Sequence, residues 1–371
     1  MIKIFVCFFL SISIFAEEGT LKIGAVFPMT GPIATFGQES VNGIKLALEK
    51  INAKGIKGKK IELIVEDNKG EAIDSANATR KLIEIDNVLA ILGSVASSNT
   101  LASAPVAQSK KVPLVTPAST NEKVTTMGDY ISRVCFTDNF QGKVMAKFAR
   151  NTLKAERAAL LIDNSSDYSK GLAEVFQREF IALGGKIVGG DDLVYQQRDV
   201  EFRTLLRKIK RANPQVVFVP GYYSEVGPIL NQARQVGIDI PFLGGDGWDS
   251  PNLQELAGAG VKNTFISSHF APDDKDTMVQ NFVKLYKERY EEEPGAMAAL
   301  GYDSIILMAD ALGRVKDPTN REELKNAINS TKDLLGVTGR ISIDENRNAV
   351  KSAVVLEYLP GGRHFKEKIS P

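Results

Sequence analysis

Apolar positions along the chain alternate between two periods. Residues 21–29 form a short run of strand formers that closes on Thr30-Gly31-Pro32, a turn signal. Val41, Ile44, Leu48 and Ile51 then fall at offsets of three, seven and ten, one face of a helix, which Gly55 and Gly58 end. The same alternation predicts a strand at 61–65, a helix at 72–85, a strand at 89–92, a helix at 101–108 and a strand at 112–115. It restarts with strands at 158–162, 186–194, 216–219 and 242–243, and helices at 170–183, 200–210 and 226–236 between them. From 277 to 329 the period reads as three successive helices, followed by short strands at 340–343 and 354–358. Val134-Cys135-Phe136 reads as a strand interior.

Strand–helix alternation of this kind means βαβ units and mostly parallel sheets covered by helices on both faces. The expected fold class is therefore α/β, with two Rossmann-like, doubly wound lobes in series and a helical return segment. A chain that leaves one lobe and later comes back makes several crossovers. These act as a hinge, and the space between such lobes is where ligands commonly sit.

The first residues stand outside this scheme. Lys3 is followed by an apolar run from Ile4 to Phe15, and Ala16 precedes the acidic pair Glu17-Glu18. Residues 1–16 read as a secretory signal peptide, with Ile14 an atypical residue at the minus-three position. Cys7 lies too early, without a small residue before it, to favour a lipid anchor. Cleavage after Ala16 would leave Cys135 as the one thiol, expected to be buried and structural, so no internal disulfide would form. The 371-residue chain carries 46 Lys and Arg against 45 Asp and Glu. That balance argues against nucleic-acid binding. Two Cys and two His leave no material for a Cys/His zinc site, and no metal or cofactor is expected.

Catalytic signatures are absent from the sequence. There is no Gly-x-Gly-x-x-Gly after a strand, no phosphate loop, no Gly-x-Ser-x-Gly elbow and no His-Glu-x-x-His. His269 at the end of an apolar strand and His364 in a polar tail read as structural or surface residues. Glu291-Glu292-Glu293 reads as a solvated helix end. The chain is expected not to be an enzyme.

In parallel sheets, ligands meet the loops after the carboxyl ends of the strands. Those loops here are residues 93–100, 116–121, 163–168, Gly221-Tyr222-Tyr223 and 244–249. The first two offer hydroxyls and free N–H groups at helix starts, suited to an anion. The later ones offer aromatic rings and an acid. Any one of them alone also fits a simple helix cap or turn. Together they suit a zwitterion with a carboxylate, an ammonium and an apolar side chain.

Taken in order, Ile23-Gly24, Met29-Thr30-Gly31-Pro32, Phe36-Gly37, Gly43, Ile51-Asn52, Asp67, Gly93, Ser97-Ser98, Thr116 to Thr120, Tyr168 to Gly171, Gly221-Tyr222, Gly237 and Gly301-Tyr302 form a distinctive set. This set resembles the leucine–isoleucine–valine-binding protein family, the extracytoplasmic solute receptors of amino-acid ABC importers. The resemblance runs from about Leu21 to the C-terminus. It implies a type I periplasmic-binding-protein pair of lobes joined by three crossovers. The first lobe is then expected at 20–137 and 269–343, and the second at 138–268 and 344–371. It further implies that Ser97 and the Thr120 amide receive the ligand carboxylate. The Ala118 carbonyl and the Thr120 hydroxyl would accept from the ammonium, with Asp246 as its counter-charge where the family often has Glu. Tyr168 and Tyr222 would close over the ligand, and Phe36 and Met297 would flank its side chain. Trp248 is expected to narrow the pocket, and Ala96 stands where some relatives carry a disulfide Cys.

The departures, Asp246 for Glu and Phe36 and Met297 where the family often puts Tyr and Phe, leave the ligand's side chain open, while the resemblance implies recognition of an α-amino acid, branched-chain or related. An amide, a urea or an aromatic acid on the same scaffold, or a ligand sensor, stays as an alternative. The implied partners are the amino acid and a membrane permease. The implied state is a periplasmic monomer.

Overall fold

The computed structural model describes residues 19–359 and 362–370. The expected signal peptide, with Cys7, lies outside them. In the first part of the chain the elements run β1 (Thr20–Phe27), α1 (Ala34–Lys54), β2 (Lys60–Asp67), α2 (Ala72–Glu84), β3 (Ala90–Gly93), α3 (Ser97–Ser109), β4 (Leu114–Thr116), α4 (Lys123–Thr126) and β5 (Ile131–Arg133). The strands form one parallel sheet in the order β2-β1-β3-β4-β5. Alternate residues of β1 serve opposite faces, as the strand period of two requires. Ile23, Ala25 and Phe27 share a core with Val41, Ile44 and Leu48 of α1. Val26 joins Leu82 of α2 and Ala104 and Ala107 of α3 on the other side.

The chain continues through α5 (Asp138–Lys147), β6 (Arg157–Leu160), β7 (Ile162–Asp163), α6 (Asp167–Ala182), β8 (Lys186–Ile187), β9 (Val194–Tyr195), α7 (Arg203–Ala212), β10 (Val216–Phe218), α8 (Tyr223–Gln235), β11 (Phe242–Gly244), α9 (Pro251–Ala257) and β12 (Thr264–Ser268). It then forms α10 (Thr277–Tyr290), α11 (Ala296–Arg314), α12 (Arg321–Asn329), β13 (Leu334–Gly336), β14 (Gly339–Ile341), β15 (Ala353–Leu359) and β16 (Gly362–Ile369). The second sheet has the order β16-β15-β12-β11-β10-β6-β8, parallel from β8 to β12 and antiparallel beyond. The chain thus leaves the first sheet after β5, returns after β12, and crosses again to supply β15 and β16.

The return segment lies against the first lobe through α11, which runs along α1. Two glycines make that approach close. A Cβ on Gly43 would stand 1.9 Å from the Ala298 carbonyl oxygen, and one on Gly301 would stand 2.2 Å from that of Ser40. Any side chain at either position would separate the helices.

Several expected elements differ. The strand at 186–194 is two short ones: β8 edges the large sheet, while β9 pairs with β7. Gly189 and Gly190, at φ of +103° and +83°, break it between them. The helix expected at 101–108 starts at Ser97, so the first candidate loop is shorter and Ser97 is itself helical. Val134, Cys135 and Phe136 follow β5 rather than forming a strand interior, although Cys135 is buried as expected. His364 lies not in a free tail but in β16, opposite Glu357. Helix α5 was not legible because its inner face is partly polar: Asp138 and Gln141 are buried with Val144 and Met145.

Candidate functional site

The carboxyl ends of the parallel strands in both sheets face a narrow cavity with about 220 Å³ of atom-free space, its mouth included. Its walls are Phe36, Val95, Ser97, Ala118, Tyr168, Tyr222, Asp246, Gly247 and Met297. Seven of the nine residues singled out from sequence are among them. The other two, Thr120 and Trp248, are not.

On the first lobe, Ser97 opens the 13-residue helix α3, whose first N–H groups have no partner within the helix. Ser97 Oγ accepts a hydrogen bond from the Asn121 amide at 3.2 Å, which leaves its own O–H to donate elsewhere. Most other hydroxyls of these loops hold the loops themselves. Thr116 Oγ1 donates to the Ser94 carbonyl at 2.6 Å, Thr100 Oγ1 and Ser119 Oγ share a 2.7 Å bond, and the Ser94 amide donates to Thr100 Oγ1 at 2.9 Å. Buried Arg133 fastens the 119–121 turn, donating to the Ser119 carbonyl at 2.7 Å and the Asn121 carbonyl at 2.8 Å. Thr120 between them is buried behind the cavity wall, and its hydroxyl makes no hydrogen bond of standard geometry.

On the second lobe, the Tyr168 and Tyr222 rings stack at 5.2 Å, and Tyr222 meets the edge of Phe36 at 6.2 Å. The Gly247 amide donates to the Tyr168 hydroxyl at 3.1 Å, fixing that ring. Trp248 does not narrow the pocket. Its side chain is fully buried, its indole N–H donates to the Val219 carbonyl at 2.9 Å, and it packs on Gly244. The loop after β11 turns as one 3-10 turn at Asp246–Trp248, which points Asp246 toward the cleft and Trp248 into the core.

Asp246 is buried, and both of its oxygens are held. Gln141 Nε2 donates to Oδ1 at 3.0 Å, and His269 Nε2 lies 3.1 Å from Oδ2. The same Gln141 amide reaches Asp138 Oδ1 at 2.8 Å, so two buried carboxylates share one donor. Burial, reinforced by the Asp246 charge, pushes the Asp138 carboxyl up to about 8, and Gln141, the Thr120 hydroxyl and Arg133 offset this only in part. Burial pulls His269 below the usual histidine value, against the pull of Asp246. A neutral imidazole with its proton on Nε2 fits both the bond to Asp246 and the unpartnered Nδ1. The ring is stacked on Phe136 at 3.6 Å. Sequence reasoning missed Asp138 and Gln141 as parts of the site, reached Val95 and Gly247 only as members of the loops at 93–100 and 244–249, and assigned His269 a structural or surface role. The one available signal was Thr137-Asp138, which reads equally as a helix start.

The two lobes touch around the cavity. Ser98 Oγ donates to Asp167 Oδ2 at 2.9 Å and accepts from the Asp167 amide at 3.0 Å, and Asn121 Nδ2 donates to the Asp167 carbonyl at 2.7 Å. Asn252 Nδ2 donates to Thr35 Oγ1 at 2.9 Å on another side. The arrangement is closed. Its chemistry is that of a small two-ended polar ligand, with anion-accepting groups on one lobe and a carboxylate on the other.

Residues 20–363 match the family model described as periplasmic binding protein. A leucine-binding protein from Thermotoga maritima shares the fold at a TM-score of 0.91 and 39% identity, over 95% of this chain and 99% of that one. A branched-chain amino-acid transporter substrate-binding protein from Streptococcus pneumoniae, solved in complex with isoleucine, follows at 0.89 and 35%, over 95% and 100%. An amino acid binding protein of Pseudomonas aeruginosa is 33% identical over 70% of this chain and 71% of its own. With a two-lobe frame, crossovers and an interlobe cavity all in agreement, the chain belongs to the periplasmic binding protein family, in its leucine–isoleucine–valine-binding branch.

Proposed function

We propose that this protein is the extracytoplasmic receptor of an ABC importer and binds an aliphatic α-amino acid, branched-chain or related, between its lobes. The observation that carries this reading is the opposition of Ser97 and the α3 N-terminus on one lobe to Asp246 on the other, across a cavity whose apolar and aromatic walls include Phe36, Val95, Tyr222 and Met297. The ligand carboxylate lies on the Ser97 hydroxyl and the first amides of α3, where the helix dipole favours an anion. The ammonium lies between the Ala118 carbonyl and Asp246, with Thr120 behind them. The side chain rests on the apolar wall.

Entry requires the lobes to part, because the cavity is closed over by Tyr168, Tyr222 and the Asp167 contacts. The ligand meets the first lobe first. Closure then brings Asp246 and the two tyrosines onto it and excludes water, which strengthens the charged hydrogen bonds. No chemical step is needed, only a ligand-dependent shape for a membrane permease to read. The lobes in this account are 20–137 with 269–343, and 138–268 with 344–371. Residues 1–16 direct export to the periplasm, and the mature chain acts as a monomer.

A thermal-shift screen of the twenty amino acids, small amides and benzoates tests the reading. The expected result is stabilisation by aliphatic amino acids, about 2.7 kcal/mol at a hundredfold excess over Kd. Stabilisation by an amide or a benzoate, with none by any amino acid, would overturn it.

A further inference from the structure

Away from the ligand cavity, a wider groove follows the outer edge of the lobe interface, with about 1340 Å³ of atom-free space including its open mouth. Gln38, Glu39 and Asn42 of α1 and Glu292 line it from the first lobe, and Asn252 and Arg363 from the second. Glu39 is the unusual member. It is only 6% exposed, and its Oε2 is buried without any hydrogen-bond partner. Arg363, the cation facing it, is already engaged by Asp249. Glu292 and Glu293 stand at the same groove, so acids outnumber bases along its walls. A buried carboxylate of this kind is costly unless a cation or a proton neutralises it. Among the described residues no three metal-ligating side chains converge. The acids are spread along a channel, which suits an extended organic cation better than a metal ion.

We propose that this groove is a second binding site, which takes a small organic cation whose ammonium group lies on Glu39 between the lobes. Both lobes supply its walls, so an occupant ties them together. Its coupling to the amino-acid site rests on the closure described above, whereas the site itself does not. Coupling is reciprocal, so each ligand tightens the other by the same factor.

The groups facing Glu39 are Arg363, Asp249, Glu292, Tyr223, Tyr286 and Tyr358. Burial, the largest influence, pushes its carboxyl up to about 8, and Arg363 opposes that only in part. Below that pH the cation must displace a proton, so binding tightens as pH rises toward 8 and levels off above it.

Isothermal titration of the full chain with 1,4-diaminobutane, at constant ionic strength from pH 6 to pH 9, tests the proposal. Tetramethylammonium, which has no N–H donor, serves as the control. The expected result is one saturable site for the diamine, with Kd falling about tenfold per pH unit up to pH 8, and little binding of the control. Glu39→Gln, which keeps the shape and removes the charge, should weaken the diamine at least tenfold at pH 9. Exposed Glu292→Gln should weaken it several-fold, and it decides the matter should Glu39→Gln fail to fold. Absence of saturable binding, a pH-independent Kd, equal binding of the control, or indifference to both substitutions would overturn the site. So would displacement of the diamine by a stabilising amino acid, since that would place it in the ligand cavity. If no amino acid binds at all, the receptor reading fails, and the diamine titration still decides this site.

Discussion

Replacing Asp246 by Asn removes the charge facing the ligand ammonium while keeping the side chain's shape. Truncating one partner of a buried charge pair costs roughly 2–5 kcal/mol, about 30- to 5000-fold in Kd. The structure argues that the single substitution will fall short of this. Asp138 and Asp246 accept from one Gln141 amide at 2.8 and 3.0 Å, so their bonded oxygens are no further apart than those two lengths laid end to end. At an effective dielectric constant of about 20, two charges at such a spacing repel by about 3 kcal/mol, a factor of about a hundred in proton affinity. Asp138, held up at about 8 by burial and by Asp246, is mostly protonated at neutral pH in the native protein. Without the neighbouring charge it ionises more readily and, from behind the cavity wall, restores part of the negative charge that the ammonium faces. Titration calorimetry with the best amino acid should therefore show two things. Asp246→Asn should bind weakly at pH 6 and recover with rising pH as Asp138 gives up its proton. Asp246→Asn combined with Asp138→Asn should show the full loss and no recovery. Equal affinities for the single and double variants at every pH would refute the shared-charge argument. Native affinity in both would refute the role of Asp246 altogether.

Ser97→Ala removes one hydroxyl donor to a carboxylate and leaves the buried Asn121 amide unpaired, so Kd should rise about ten- to a hundredfold in the same calorimetry, and unfolding in urea should show a loss of about 1–3 kcal/mol. Trp248→Ala should behave differently, because the ring is core rather than wall: unfolding in urea should show a loss of about 3–5 kcal/mol, with near-native affinity in the fraction that remains folded. Glu39, at about 8 in the folded state against 4.5 as its ordinary value, keeps a proton that the unfolded chain has lost. Its contribution therefore makes stability fall as pH rises from about 4.5 to 8, by an amount on the order of a few kcal/mol. Urea melts at pH 5 and pH 8 should show that fall shrink in Glu39→Gln, and an unchanged slope would contradict the burial argument. The Cys135 thiol is buried and pushed up to about 12, so a maleimide should label it only when the protein is unfolded.

The alternation of periods was enough to recover the α/β class and two lobes, because parallel strands covered on both faces are written as short apolar runs between amphipathic helices. It was also enough to bring out the loops that carry Ser97, Ala118, Tyr168, Tyr222 and Asp246, since strand-end loops are where such folds place ligands, while the choice of those residues within the loops came from family resemblance. Phe36 and Met297 came from family resemblance. Tertiary structure decided what local pattern leaves ambiguous. It turned Trp248 into the core and Asp246 into the cleft, although they are two residues apart, because a tight turn separates their directions. It spent the hydroxyls of Thr100, Thr116 and Ser119 on holding loops. It brought Asp138, Gln141 and His269, distant in the chain, behind one carboxylate. A polar residue looks the same in sequence whether it meets solvent, another loop or a ligand. Only the packing of distant segments removes the water and determines which partner it has.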